Sequence, residues 1–323
     1  MGDNKPQKKR GRAVPPRSSS SSPADFRRAN EKMLQDVGKL LSQQQFETTE
    51  EMNAYLQSVL ASGGPPAMAP ESPLERAQEI MYKAWEASGA RRVKLARQAI
   101  EISPDCADAY VLLAEEARNP RDAKEFYEQG VQAGARALGP HVFEEDAGHF
   151  WGIIETRPYM RARAGLAASL WQLGERAAAI EHYADMLRLN PGDNQGLRYV
   201  LASCLLRQGD DEALAKLLDQ YDDASAEWYY TRSLLLFRGA GASADASAAL
   251  KNAFGKNRFV PDYLLGKKRL PRQPPAYISP GDDTEAVSYA AGAADAWRET
   301  PGALEWLSSN LADGLGDARA RAR

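Results

Sequence analysis

Leu187-Arg-Leu-Asn-Pro191 followed by Tyr199-Val-Leu-Ala202 decides the fold, because the same order occurs earlier as Ile100-Glu-Ile-Ser-Pro104 followed by Ala109-Tyr110 and Leu112-Leu-Ala114. Each copy reads as the end of one helix, a proline turn and the start of the next, since proline lacks the N–H that would continue the helical ladder. Upstream of Pro191, small or apolar residues fall at i, i+4 and i+7 in Ala179, Tyr183 and Met186. The same three-point rhythm occurs in Ala123, Tyr127, Gly130, in Leu214, Leu218, Tyr221 and in Ala246, Leu250, Ala253. The steps from Ala179 to Leu214 and from Leu214 to Ala246 are 35 and 32 residues, close to a helix-turn-helix period of about 34.

Such spacing has a packing reason. A small residue at the first point lets two antiparallel helices approach, and the larger residue one turn later fills the gap between neighbouring pairs. Gly174 and Gly209 stand eight residues after Leu166 and Leu201 and supply the turns inside two helix pairs. Asp193 or Asn194 is placed to cap the helix after Pro191. The interval from Ala123 to Ala179 is 56 residues, so an insertion lies between Leu138 and Thr156. From Leu74 onward Ala and Leu dominate without period-two alternation, which disfavours a sheet. The prediction is an all-α, right-handed, tetratricopeptide-like helical-repeat solenoid over residues 74–311, with a flexible C-terminal tail over 312–323.

The flanking sequence differs in kind. Residues 1–28 carry eight bases and two acids, leaving 33 bases and 42 acids for the rest. Pro15-Pro16 and the serine run 18–22 offer nothing to offset ordering entropy, so residues 1–24 read as a disordered basic tail. Phe26, Met33, Leu34, Val37, Leu40 and Leu41 mark the apolar face of one helix. Thr48, three residues before Glu51, opens a second with Met52, Tyr55, Leu56, Val59 and Leu60 on its apolar face. These form a helical hairpin over 25–62, followed by a Pro/Gly-rich linker over 63–73. The hairpin is expected to cap the first repeat or to occupy the groove of the solenoid. The overall net charge of −3 removes the basic excess of a general nucleic-acid coat. Cys106 and Cys204 are far apart, which excludes a disulfide framework and suits a reducing compartment. No apolar run approaches the roughly 20 residues that span a bilayer, so a cytoplasmic chain without membrane insertion is expected.

A family resemblance adds to this. The stretch Glu101-Ile-Ser-Pro-Asp-Cys-Ala-Asp-Ala-Tyr-Val-Leu-Leu-Ala-Glu-Glu116, with Phe259-Val-Pro-Asp-Tyr-Leu-Leu265, Gly281-Asp-Asp-Thr-Glu-Ala-Val-Ser-Tyr-Ala290 and Gly302-Ala-Leu-Glu-Trp-Leu307, resembles the suppression-of-tumorigenicity protein family. The likeness covers roughly residues 75–311 and points to a soluble, bacterial-type member. It implies a tetratricopeptide-like scaffold and supplies no catalytic residue. Animal members are described as membrane-associated, with apolar segments ahead of the repeats, where this chain has a basic tail and a helical hairpin.

Candidate chemistry is sparse. His141, Glu144, Glu145, Asp146 and His149 offer metal-ligand types, but the histidines stand eight apart where a helical zinc motif needs four. Neither a nucleophile elbow nor a phosphate-binding glycine loop is present. No cofactor and no metal are expected, and the chain reads as a non-enzyme. Arg157 and Arg161 are four apart and share a helical face near Phe150, Trp151 and Tyr159, an arrangement suited to a carboxylate or phosphate. The structural alternative pairs these arginines with Glu144, Glu145 or Asp146 and buries Phe150 and Trp151. The repeat register places Arg161, Trp171 and Gln172, then Tyr199, Ser203 and Arg207, on a concave face. Ala164 and Ala168 stand where chaperone-binding repeats carry the Lys and Asn that clamp a C-terminal carboxylate. The expected function is a non-catalytic scaffold that binds a protein or peptide through Trp151, Arg157, Arg161, Trp171, Tyr199 and Arg207. Two rival readings are a nucleic-acid adaptor acting only through the basic tail and a metal-dependent enzyme using the 141–149 cluster.

Overall fold

The computed structural model describes residues 23–66 and 68–311, and the expected terminal tails lie largely outside them. Among the described residues every regular element is helical. The chain divides into two compact units, Met1–Pro104 and Asp105–Arg323. This division falls inside the 74–311 stretch that the periodicity reads as one array.

The first unit contains α1 (Pro23–Ser42), α2 (Thr49–Ala61), α3 (Pro73–Glu86) and α4 (Gly89–Ile102). Its core is the seam between α3 and α4, where Ala77, Met81, Ala84, Trp85, Ala96 and Ala99 are buried. Small residues on both helices permit that approach. The first helix already begins at Pro23, and it packs on α3 through a polar face. Lys32 pairs with Glu79 and Lys39 with Glu75, while Tyr82 donates its hydroxyl to Gln35 at 3.1 Å. Met33 and Leu34, expected on the apolar face of that helix, are exposed. The reason lies in α3, whose Glu75, Glu79 and Tyr82 are spaced four and three and so present one polar ridge to the lysines of α1. At α2 Thr48 caps the helix, Glu51 N–H donating to Thr48 Oγ1 at 3.1 Å, while the Glu51 carboxylate reaches back to accept Glu47 N–H, one residue before the cap, at 2.9 Å.

The second unit runs α5 (Ala107–Glu115), α6 (Pro120–Leu138), α7 (Val142–Glu145), α8 (Arg157–Gln172), α9 (Arg176–Leu189), α10 (Leu197–Gln208), α11 (Asp211–Gln220), α12 (Ala226–Ala240), α13 (Ala244–Lys256), α14 (Val260–Leu264) and α15 (Asp283–Glu299). Residues 303–311 are also helical. Contacts run between chain neighbours: α5 with α6, α6 with α8, α8 with α9, α9 with α10, α10 with α11, α11 with α12 and α12 with α13. The three-point positions fall in α6, α9, α11 and α13, except that Tyr221 sits just past the end of α11. Ala179, Tyr183, Met186, Leu214, Leu218, Ala246, Leu250 and Ala253 are buried. At the α6–α8 seam Gly165 lies against the Tyr127 ring, and a Cβ there would lie 2.1 Å from that ring unless it moved. Gly174 and Gly209 turn their helix pairs with φ of 84° and 74°, a region that costs a side chain strain. Asp193 caps α10, its carboxylate accepting the N–H groups of Leu197 at 2.6 Å and Arg198 at 3.1 Å.

After α13 the chain returns. α15 packs on α14 and also on α10 and α12. Ser203 of α10 donates its hydroxyl to the Gly292 carbonyl at 3.3 Å, and a Cβ on Gly292 would sit 2.8 Å from that hydroxyl oxygen. Trp297, Tyr289 and Tyr230 fill the space beneath it, and Trp297 donates Nε1–H to the Tyr289 hydroxyl at 2.8 Å.

Candidate functional site

The 138–156 insertion folds onto the second unit. Both Gly148 N–H and Phe150 N–H donate to the Leu189 carbonyl, at 2.9 and 3.2 Å. Phe150 has no exposed surface and meets Phe143 and Tyr159 edge-on or tilted, with centroids 5.3 and 6.2 Å away. The Thr156 hydroxyl is turned inward to the Phe150 and Ile153 carbonyls, so it fastens the insertion and leaves α8 without the side-chain cap its sequence suggests. His141, Glu144, Glu145 and His149 are exposed. Among the described residues no three His, Cys, Asp or Glu side chains are placed to hold a metal ion.

The two arginines of α8 point to different partners. Arg161 grips Asp108 of α5 in a bidentate pair, Nε to Oδ1 at 2.9 Å and Nη2 to Oδ2 at 2.7 Å, with Asp108 wholly buried. Its partner is therefore an acid on another helix rather than one of the insertion. Arg157 donates Nε–H to the Trp151 carbonyl at 3.0 Å and lies 5.4 Å over the Trp151 ring. At the other end of α8 two guanidinium groups lie near the Trp171 ring, Arg176 at 5.5 Å and Arg207 at 5.7 Å from its centroid. Arg207 is exposed and reaches Asp295 of α15 only at 3.7 Å. Tyr199 is drawn into a different cluster, its hydroxyl donating to Asp223 at 2.6 Å and its ring edge-on to Trp228 at 5.3 Å. Of the residues read as a concave face on α10, Ser203 and Arg207 thus face the chain's own α15.

That cluster centres on Arg198, which sequence reasoning passed over. Its guanidinium lies 4.5 Å over Tyr199, 5.4 Å over Tyr221 and 6.0 Å over Trp228. It also reaches Asp223 at 2.9 Å and Asp193 at 3.1 Å. Burial alone would raise the Asp223 carboxyl, but hydrogen bonds from Ser225, Tyr199 and Arg198 hold it below the usual carboxylate value. No spacing signal links Arg198 to Asp223, because they meet only once α10 and the α11–α12 turn are packed. Arg163 was likewise missed. It contacts His182 Nδ1 at 3.1 Å and pairs with Asp185, forming one wall of a shallow depression with Glu181, Ala184 and Arg188. Burial first, then the Arg163 charge, lowers the His182 pKa, so its imidazole is held neutral. Both cysteines are buried, and burial pushes the Cys204 thiol up to about 11, which removes thiolate reactivity.

These contacts describe a protein of packed helices whose polar side chains mostly tie one helix to the next. A family model described as ST7 protein matches residues 67–143. The chain is 30% identical over 259 residues to the chicken (Gallus gallus) suppressor of tumorigenicity 7 protein-like, covering 72% of this chain and 46% of the relative. The human (Homo sapiens) protein of the same name is 30% identical over 267 residues, 72% of this chain and 45% of the relative. The Drosophila melanogaster protein ST7 homolog is 29% identical over 257 residues, 71% of this chain and 47% of the relative. The family model and these relatives support the suppression-of-tumorigenicity-7 resemblance. The matched region spans less than half the length of these relatives. No helix among the described residues is long and apolar enough to cross a membrane.

Proposed function

We propose that this chain is a cytoplasmic, tetratricopeptide-like scaffold of the suppression-of-tumorigenicity-7 family that binds a protein or peptide and performs no catalysis. The helix pairs α5–α6, α8–α9, α10–α11 and α12–α13, each in contact with the next, support the repeat reading, because stacking of neighbours is what closes a core no single pair can close. Arrays of this kind commonly offer a first-helix face to an extended partner. In this chain α15 covers that face at α10 and α12, so the partner surface is placed along α8 and its edges.

The observation that carries this reading is the pair of guanidinium groups, Arg176 and Arg207, at 5.5 and 5.7 Å from the Trp171 ring centroid. An aromatic ring with two guanidinium groups beside it suits an acidic or carboxylate-bearing peptide, and tryptophan and arginine are the side chains that most often dominate such contacts. Trp151 with Arg157 extends the surface at the other end of α8. Arg161 is engaged with Asp108 and Tyr199 with Asp223, so neither belongs to this surface. The test is partner capture from the source cell with the whole chain and with a Trp171→Ala, Arg207→Ala variant. Loss of captured partners by a variant that keeps its helical circular dichroism is expected. Equal capture by both proteins refutes this surface.

A further inference from the structure

Between α14 and α15 the chain reads Lys267-Lys-Arg-Leu-Pro-Arg-Gln-Pro-Pro-Ala-Tyr-Ile278. This segment belongs to neither the repeats nor the surface proposed above, so the inference drawn from it stands apart from that reading. Its ends are fastened. Lys268 N–H donates to the Asp262 carbonyl at 2.9 Å, Ser279 N–H to Thr284 Oγ1 at 3.0 Å and Gly281 N–H to the Glu285 carboxylate at 2.7 Å.

Between those anchors the peptide makes no hydrogen bond, ion pair or ring contact with any described residue over 269–278. Prolines at 271, 274 and 275 remove three donors and bias the backbone to the extended, internally unbonded polyproline form. The side chains are equally unused. Tyr277 is 70% exposed, Ile278 57% and Leu270 41%, and Tyr277 is the most exposed of the large apolar side chains described. A loop that merely joined two helices would gain nothing from holding a tyrosine, an isoleucine and a leucine in water.

We propose that Pro274-Pro275-Ala276-Tyr277 is a docking peptide for a WW-type module, a small domain whose aromatic groove takes a polyproline ligand. The two prolines present the ridge that stacks on the aromatic walls, and Tyr277, one turn further, fills the adjoining pocket. The segment pays less ordering entropy on binding than a free loop would, because both ends are already fixed and its three prolines restrict the backbone, although the chain bends at 272–273 and 276–277. Residues 266–281 carry Lys267, Lys268, Arg269 and Arg272 and no acid, which calls for a groove with an acidic rim.

The segment also spells Lys268-x-x-Pro271-x-x-Pro274, the order an SH3-type groove would read from its basic end. The structure disfavours that use. The Lys268 ammonium is committed to Asp283 at 2.7 Å and lies 5.2 Å over Phe259 and 5.5 Å over Tyr263. Tyr277 has no such commitment.

The experiment titrates a purified WW module selective for Pro-Pro-x-Tyr peptides against the whole chain, by calorimetry or fluorescence anisotropy. Wild type is expected to bind, and Tyr277→Ala and Pro275→Ala to bind at least about tenfold more weakly with melting temperatures unchanged. Tyr277→Phe, which keeps the ring, should retain most of the affinity. Failure of wild type to bind overturns the proposal, whether or not a free 268–280 peptide binds. So does equal binding by Tyr277→Ala, or binding to an SH3 module that depends on Lys268 and not on Tyr277.

Discussion

Asp108 has no exposed surface, and both of its oxygens are held by Arg161. Truncating the arginine removes the bidentate partner of a buried carboxylate, and breaking a buried pair typically costs about 3–5 kcal/mol. Arg161→Ala should therefore lower the urea midpoint sharply, and Arg161→Ala combined with Asp108→Asn should recover part of the loss. A chain with unaltered stability would return Arg161 to the role of a surface ligand. At Gly165 the argument is steric. A methyl group placed 2.1 Å from the Tyr127 ring must displace that ring from the α6–α8 seam, so Gly165→Ala should cost about 1–3 kcal/mol even though alanine favours helices. Arg157 and Arg161 show what helical spacing alone can tell: it gives their separation along α8, but it is silent on which neighbours each meets.

At the scale of elements, α15 is tied down mainly at its start. The Glu285 carboxylate accepts Ala226 N–H at 2.9 Å, Gly281 N–H at 2.7 Å and Asn257 Nδ2–H at 2.9 Å, thereby joining α12, α13 and α15. Hydrogen bonds to a charged group contribute about 1.5–3 kcal/mol each and are not additive, so Glu285→Ala should destabilise by about 3 kcal/mol in chemical denaturation. Further along, a bulky residue at Gly292 meets Ser203. Gly292→Leu is expected to raise amide exchange in α15 and α10 while α5 and α6 keep their protection. Uniform protection across the chain would mean that α15 does not rest on α10 through this glycine.

For the molecule as a whole, pH dependence follows from groups whose ionisation is altered by folding. His182 has its pKa lowered from 6.5, so the unfolded chain binds the proton more readily, and stability falls as pH drops below about 6.5. Asp185 and Asp223 are both held below 3.8, and their contribution is present at neutral pH and is lost on further acidification. Glu227 works in the opposite sense. Burial first, then Asp223 and Glu285, pushes its carboxyl up to about 8, so its share of stability is full below pH 4.5 and is lost as pH rises through 8. Glu227→Gln should raise the melting temperature most above pH 8 and least near pH 4.5, and His182→Gln should flatten the profile between pH 5 and 7. An unchanged profile in either variant would show that the group titrates normally in the folded chain.

The sequence by itself determined the helices and much of their order. Alanine and leucine at helical spacing, Thr48 and Asp193 as caps, Gly174 and Gly209 as turns and proline after Ser103 and Asn190 are local signals, acting within one or two turns of chain. The burial of Tyr183, Leu218 and Leu250 was legible for the same reason, since a periodic position reports which face looks inward. Only the tertiary structure decided which polar residues meet. Asp108 and Arg161 stand 53 residues apart, and Ser203 and Gly292 are separated by 89. Periodicity could not foresee that α1 would turn Lys32 and Lys39 to α3 and leave Met33 and Leu34 outside, because that choice depends on the charge of the opposing helix. Nor could it foresee α15 packing on α10. Local propensity fixes what each segment becomes, whereas long-range pairing depends on how packed helices bring distant side chains within a few ångströms, and a single chain carries no periodic trace of that.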